Sequence, residues 1–401
     1  MSTQLEPVKL SGAARVQAVT TLFRDNIREY GMLVALLAIM LFFQIRTSGV
    51  LLQPLNVTNL ILQNSYIVVM ALGMLLVIVA GHIDLSVGSV AAFTGSVAAV
   101  MMVQQKTNYI VAGLACLLVG AIIGAIQGFW IAYMKIPAFI VTLAGMLVFR
   151  GLTQVRLNGQ NIGPFPPTFQ KLSTGFIPNP LGGSGLHLTT LLIGALLSAI
   201  VVYLDIRARR NRRKFNFAVP AFPLFVVKNA LIATVIMSLC YVLASYKGLP
   251  NVLIVLAVLI AFYTFVTNRT VIGRRIYALG GNEKAAKLSG VNTARLTFYT
   301  FVNMGVLAAA AGLIFAARFN SATPKAGVGF ELDVIAAAFI GGASASGGVG
   351  KVIGAVIGAF VMGVMNNGMS IIGIGVDWQQ VIKGAVLLMA VYFDVYNKNK
   401  V

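Results

Sequence analysis

The run Leu60-Ile-Leu-Gln-Asn-Ser-Tyr-Ile-Val-Val-Met-Ala-Leu-Gly-Met-Leu-Leu-Val-Ile-Val-Ala80 carries no charge and leads straight into Gly81-His-Ile-Asp-Leu-Ser-Val-Gly-Ser89. A bilayer core about 30 Å thick needs about twenty apolar residues per helical crossing. The run is long enough to cross, and the polar stretch after it breaks the helix. Working outward, comparable apolar segments fall near 31–50, 60–80, 86–103, 109–134, 138–156 and 188–206. A second set falls near 221–245, 250–268, 296–317, 333–346, 351–367 and 380–395. The expected fold is all-α, a polytopic helical membrane protein of about 10–12 transmembrane helices. The segments 86–103, 333–346 and 351–367 are short or glycine-rich, which sets the lower end of that range.

Composition supports this reading. Of 401 residues, 58% are hydrophobic and 10% charged, whereas soluble domains carry about 25% charged residues. The net charge of +20 raises the question of a nucleic-acid partner, but the bases sit in short runs between apolar segments. Arg207 to Lys214 and Arg269 to Arg295 hold six Lys or Arg residues each. That is how cytoplasmic loops fix a membrane topology, not how a nucleic-acid surface is built. Alternation then places 207–220 and 269–295 in the cytoplasm. It places 157–187, which has one Lys, on the outer side, with both termini cytoplasmic. Met32 to Ile45 follows Arg15, Arg24 and Arg28 without a small-residue cleavage site, so it reads as a retained first helix rather than a signal peptide. The expected organisation is a cytoplasmic segment 1–30 and a single transmembrane domain 31–401. Cys116 and Cys240 lie inside apolar runs and read as small buried hydrophobes.

Two acid-bearing breaks stand out. In the first, Asp84 or Ser86 can cap the following helix, or the break can line a polar path with Ser86 and Ser89. The second, Glu331-Leu-Asp333, precedes Gly341-Gly-Ala-Ser-Ala-Ser-Gly-Gly-Val-Gly350. That glycine run is no phosphate-binding loop, because Ala345 takes the first glycine position and Val352 stands where Ser or Thr is required. Its glycines suit a tight turn or close helix approach. Gln127, Trp130, Asn303, Asn366 and Asn367 are polar or aromatic groups within apolar segments. Singly they read as interhelical hydrogen-bonding groups; together they suit a pathway for a neutral hydroxylated solute.

Gly120-Ala-Ile-Ile-Gly-Ala125 and Gly354-Ala-Val-Ile-Gly-Ala359 match, and they run in opposite directions through the expected topology. Such a match fits halves related as an inverted repeat, and equally fits plain small-xxx-small packing. In the loop 273–290, residues 282–289 are good helix formers ended by Gly290. The segment reads either as a short helix that docks on a partner or as a solvated basic face.

On these residues alone, an ion-coupled secondary transporter leads, with Asp84 and Asp333 as its titratable groups. A membrane enzyme fits poorly because His82 and His187 are far apart in sequence and no acid cluster accompanies them. No catalytic residue, cofactor or metal site is expected.

Four stretches together resemble the permease subunit of sugar-importing ABC transporters, the ribose/xylose/galactoside type. They are Ile83-Asp-Leu-Ser-Val-Gly-Ser89; Phe139-Ile-Val-Thr-Leu-Ala-Gly-Met146 with Arg150-Gly151; Gly273 to Gly290; and Gly341 to Gly350 with Asn367-Gly368. The resemblance runs from about residue 50 onward, with the xylose and multiple-monosaccharide branch most similar. It implies a non-catalytic transport subunit of the bacterial inner membrane. It also implies a cytoplasmic ABC ATPase, a periplasmic sugar-binding protein and a second permease subunit in a homodimer, with monosaccharide as cargo and lipid as surroundings. By the same resemblance, Glu283, Ala285, Ala286 and Gly290 belong to the ATPase-coupling helix, although Lys284 stands where the general motif has Glu. The substrate pathway is expected along Asp84, Ser86, Ser89, Gln127, Asn303, Asn366 and Asn367.

Overall fold

The computed structural model describes residues 27–182, 185–215, 217, 219 and 221–398. Residues 1–26 of the expected N-terminal segment 1–30 lie outside the described residues. In chain order the helices are α1 (Ile27–Arg46), α2 (Pro54–Val79), α3 (Val87–Ala99), α4 (Tyr109–Ala132), α5 (Ala138–Leu157), α6 (Pro167–Thr174), α7 (Leu188–Lys214) and α8 (Phe222–Ala244). They continue as α9 (Asn251–Arg269), α10 (Val271–Gly281), α11 (Glu283–Leu288), α12 (Thr293–Phe319), α13 (Phe330–Ile340), α14 (Val352–Ile371) and α15 (Val376–Lys398).

Every apolar segment expected from the sequence contains a helix, but the expected 333–346 is helical only to Ile340, where the glycine-rich run turns the chain. Nine of the described helices are long and apolar enough to cross a membrane: α2, α3 extended by a π turn through Gln104, α4, α5, α7, α8, α9, α12 and α14. Helix α13 has 11 residues, about 16 Å of rise, and reaches only half-way. Helix α15 carries Asp377, Lys383 and Asp394 along its length.

Burial sorts the helices into centre and rim. In α2, 89% of the apolar window is buried, against 17% in α5, α7 and α8. Helices α2 and α12 therefore form the core, with α3, α4, α13 and α14 around them. Close approach depends on glycine. A Cβ at Gly120 or Gly124 would fall within 2.4 Å of a backbone carbonyl of α12, and one at Gly354 or Gly358 within 2.1 Å of a carbonyl at Gly341 or Ala337. The likeness of the two matched stretches is thus the likeness of two close helix crossings.

The described residues of 157–187 fold over one end of the bundle. Ile162 and Ala322 exchange backbone hydrogen bonds of 3.0 and 2.9 Å, and the Phe165 N–H donates to Asn320 Oδ1 at 2.8 Å. Phe165 and the α6 residue Phe169 are buried there, with ring centroids 4.9 Å apart. The basic run Arg207 to Lys214, expected as part of a loop over 207–220, instead continues α7 to Lys214. Its alternation of Ala and Asn with long-chain Arg favours helix. Residues 216, 218 and 220 lie outside the described residues. Helix α7 pairs with α8 through Gly194 against Cys240 and through an Asp205–Lys228 ion pair of 2.9 Å.

Candidate functional site

The break after α2 is built around Asp84, which is buried. Its Oδ1 accepts the Ser86 N–H at 2.8 Å and the Ser86 hydroxyl at 2.7 Å. Ser86 holds the N-cap position of α3, but its own side chain caps no later N–H. The turn is therefore fixed from Asp84, two residues upstream. Gln127 Nε2 donates to Ser86 Oγ at 2.9 Å, and Ser89 Oγ donates to the Ser86 carbonyl at 2.8 Å. One chain of hydrogen bonds thus joins Gln127 on α4 to Asp84. A Cβ at Gly145 on α5 would lie 2.4 Å from Gln127 Nε2, so only glycine leaves room for this amide. Thr142, one turn earlier on the same helix, is fully buried. The stretches 83–89 and 139–146 thereby pack as one unit.

At the other side of the break, three chain segments meet. Gly348 N–H donates to the Val79 carbonyl at 2.9 Å, and a Cβ at Gly280 would lie 1.6 Å from that same oxygen. The Tyr277 hydroxyl donates to the Gly350 carbonyl at 2.7 Å. Helix α10 is consequently tied to the end of α2 and to the glycine-rich run 341–350. Burial holds the His82 imidazole below its ordinary value; the Glu283 carboxylate opposes this and Lys135 reinforces it.

From this anchored α10 projects α11. Asn282 Oδ1 caps it by accepting the Ala285 N–H at 2.9 Å. Gly290 ends it at φ +81°, where no side chain is strained only if the residue is glycine, and nothing lies within 4 Å of its missing Cβ. Ala286 is buried, whereas Glu283, Ala285 and Gly290 are exposed and Leu288 is 90% exposed.

The second acid-bearing break opens α13, and there each acid meets a base. Asp333 pairs with Lys383 on α15 at 3.0 Å, and Glu331 with Arg150 on α5 at 3.9 Å. Acids in a first helical turn also suit the positive end of the helix dipole.

Comparison with known proteins completes the picture. The family described as branched-chain amino acid transport system / permease component matches residues 56–391. The chain belongs to this permease family. Among its relatives is the xylose transport system permease protein XylH of Haemophilus influenzae, 40% identical over 94% of this chain and 98% of the relative. The Escherichia coli XylH is 40% identical over 94% and 93% of the two chains. The ribose import permease protein RbsC of Escherichia coli is 34% identical over 84% and 85%. No solved structure matches the chain. The relatives are named as transport permeases, so this permease is a transport subunit and not an enzyme.

Not all of the expected pathway residues of the permease come together. Asp84, Ser86, Ser89 and Gln127 form the single network above. Asn303 instead accepts the Tyr263 hydroxyl, between α12 and α9. Asn366 donates to Asp333 at 3.3 Å. Asn367 exchanges hydrogen bonds of 2.9 and 3.1 Å with Asn56, fastening α14 to α2. Trp130 faces outward. The ion-coupled alternative loses ground because Asp333 is engaged by Lys383 and Asp84 by Ser86, in two separate places. Arg150 entered the sequence reading only as part of a matched stretch and Lys383 not at all, although a base inside an apolar helix is itself a signal.

Proposed function

We propose that this permease is the membrane-spanning subunit of an ABC importer that moves a monosaccharide, xylose or a related pentose or hexose, across the bacterial inner membrane. A partner ATPase supplies the energy, an external sugar-binding protein delivers the cargo, and a second copy of the permease completes the path within the lipid. In this reading the α11 end is cytoplasmic, both termini lie on that side, and 157–187 faces the periplasm. The α11 residues Glu283, Ala285 and Leu288 meet the ATPase, while Ala286 and Gly290 shape the helix that presents them.

The observation that carries the reading is α11 itself. It is a capped, exposed helix whose base is tied through Gly280 to Val79, next to the Asp84–Ser86–Gln127 network. A pull on α11 is transmitted to the end of α2 and the start of α3 through backbone contacts that have no slack. Alternating access then follows from rocking of these core helices. Asp84, Ser86 and Ser89 hold the break in shape, and Gln127, Asn303, Asn366 and Asn367 supply uncharged hydrogen-bonding groups near the path.

The test is uptake of labelled pentoses and hexoses into vesicles holding the permease with its ATPase and binding protein, with and without a protonophore. Uptake that requires ATP and ignores the protonophore supports the reading and names the sugar. Uptake that persists without ATP and collapses with the protonophore overturns it.

A further inference from the structure

The two ion pairs at the start of α13 are not equivalent. Lys383 Nζ lies 3.0 Å from one Asp333 oxygen and 3.2 Å from the other, with Asn366 adding a third contact. That pair is in direct contact, although Asp333 Oδ1 and Asn366 Oδ1 have no hydrogen-bond partner among the described residues. Glu331 Oε1 and Arg150 Nη2 stand 3.9 Å apart, beyond a direct hydrogen bond. Arg150 Nη2 and Glu331 Oε2 are both buried and have no hydrogen-bond partner among the described residues. Charged groups left in this condition destabilise a fold unless a third group completes them.

The Glu331 carboxylate sits in the first turn of α13. It rests on the bare backbone of Gly88, where a Cβ would fall 2.6 Å from Oε2. Arg150 stands about 18 Å along α5 from Ala138 and about 10 Å before Leu157, well inside a membrane-spanning helix. Its exposed neighbours are Leu147, Val148, Leu152 and Val155, yet the Arg150 side chain keeps 32% of its exposure. A guanidinium at that depth requires water or protein, not lipid.

We propose that Arg150 and Glu331 form a sugar-binding point on the translocation path. The guanidinium donates to one hydroxyl oxygen of the passing monosaccharide and the carboxylate accepts from a neighbouring hydroxyl. A hydroxyl both donates and accepts, so adjacent hydroxyls match an acid and a base held slightly too far apart to satisfy each other. Lys383–Asp333, the tighter of the two pairs at 3.0 Å, anchors α13 so that Glu331 is presented in a fixed place. The inference rests on the sugar-permease reading and assigns it a point of contact.

The test compares Arg150→Gln and Glu331→Gln with the wild-type importer, using one binding protein throughout so that its own selectivity cancels. Uptake of the transported sugar is measured beside uptake of its monodeoxy analogues. The expected result is a loss of about tenfold in kcat/KM for the parent sugar, with the parent-to-analogue ratio falling for at least one analogue. An unchanged ratio in assembled variants overturns the proposal. A second measurement does not depend on those variants assembling. Gly151→Cys adds a side chain where nothing lies within 4 Å, and the native Cys116 and Cys240 are buried. In the assembled importer a hydrophilic maleimide should label this cysteine, and saturating sugar should slow the labelling. No labelling means that the face is sealed by lipid or protein, and overturns the proposal. If the wild-type importer itself shows no ATP-dependent sugar uptake, the sugar-permease reading fails first.

Discussion

Gly348 donates its backbone N–H to the carbonyl of Val79 at 2.9 Å, closing a contact between segments that are distant in the chain. Gly280 lies against the same oxygen, so the base of the α10–α11 unit cannot move without moving the end of α2. Backbone against backbone has no rotamers through which to relax, which makes the junction a stiff link.

Substituting Gly280 should therefore be severe. Gly280→Ala places a Cβ 1.6 Å from the Val79 oxygen, and overpacking against backbone costs about 3 kcal/mol or more. The thermal midpoint of the purified permease should drop by many degrees. Gly281→Ala, with nothing within 4 Å, should leave it nearly unchanged. Equal effects at the two positions would remove the stiff-link account.

Leu288→Asp should leave the permease folded, since the side chain is 90% exposed, but should weaken ATPase binding in a pull-down by at least about tenfold. Gly290→Val forces a β-branched residue to φ +81°, costing about 1–2 kcal/mol locally. It should leave ATP hydrolysis running while uptake falls. Normal uptake by both variants would take α11 out of the coupling route.

Asp84 is a test of capping against selectivity. Asp84→Asn keeps an acceptor for Ser86 and should cost less than Asp84→Ala, which loses charge-assisted bonds worth about 1.5–3 kcal/mol. Both changes should lower the amount of assembled importer without altering the ranking of transported sugars. A well-assembled Asp84→Asn importer with a new sugar ranking would contradict this.

Breaking the Lys383–Asp333 pair should cost about 3–5 kcal/mol for Lys383→Met alone, because a buried carboxylate is left uncompensated. The double replacement Lys383→Met with Asp333→Leu should recover most of that loss. Measured stabilities in which the double variant is the worst would show that the pair anchors α13 by more than charge.

His82 sets a pH dependence. Its imidazole is held below the ordinary 6.5 by burial, so on acidification the unfolded chain takes up a proton at this position before the folded one does. Stability from this residue is complete above pH 6.5 and declines as pH falls from there toward the lowered folded value. The thermal midpoint of the wild type should fall more than that of His82→Gln between pH 7.5 and 5.5. Parallel curves would show that another group governs the acid limb.

Much of the fold was legible because a membrane imposes its own length and polarity rules. Each apolar run from 31–50 to 380–395 holds a helix, since unsatisfied backbone is not tolerated in lipid. The turn at Asp84 and the Gly290 stop could also be read locally, because caps involve only neighbours in the chain. Asn367 shows where that ends. It stands beside Asn366 in sequence, yet one amide fastens α14 to Asn56 and the other reaches Asp333.

The sequence by itself determined that this chain is a multi-helix membrane protein, roughly where its apolar helices lie, and, through four ordered stretches, the transport family it belongs to. Only the tertiary structure decided which residues share a site. Gly145 makes room for Gln127 and Gln127 reaches Ser86; Gly280 and Gly348 meet at Val79; Arg150 faces Glu331 while Lys383 closes on Asp333. Helix formation is fixed by local periodicity and solvent, but these pairings depend on close helix crossings, where distances of a few tenths of an ångström decide whether a polar group is satisfied or left open.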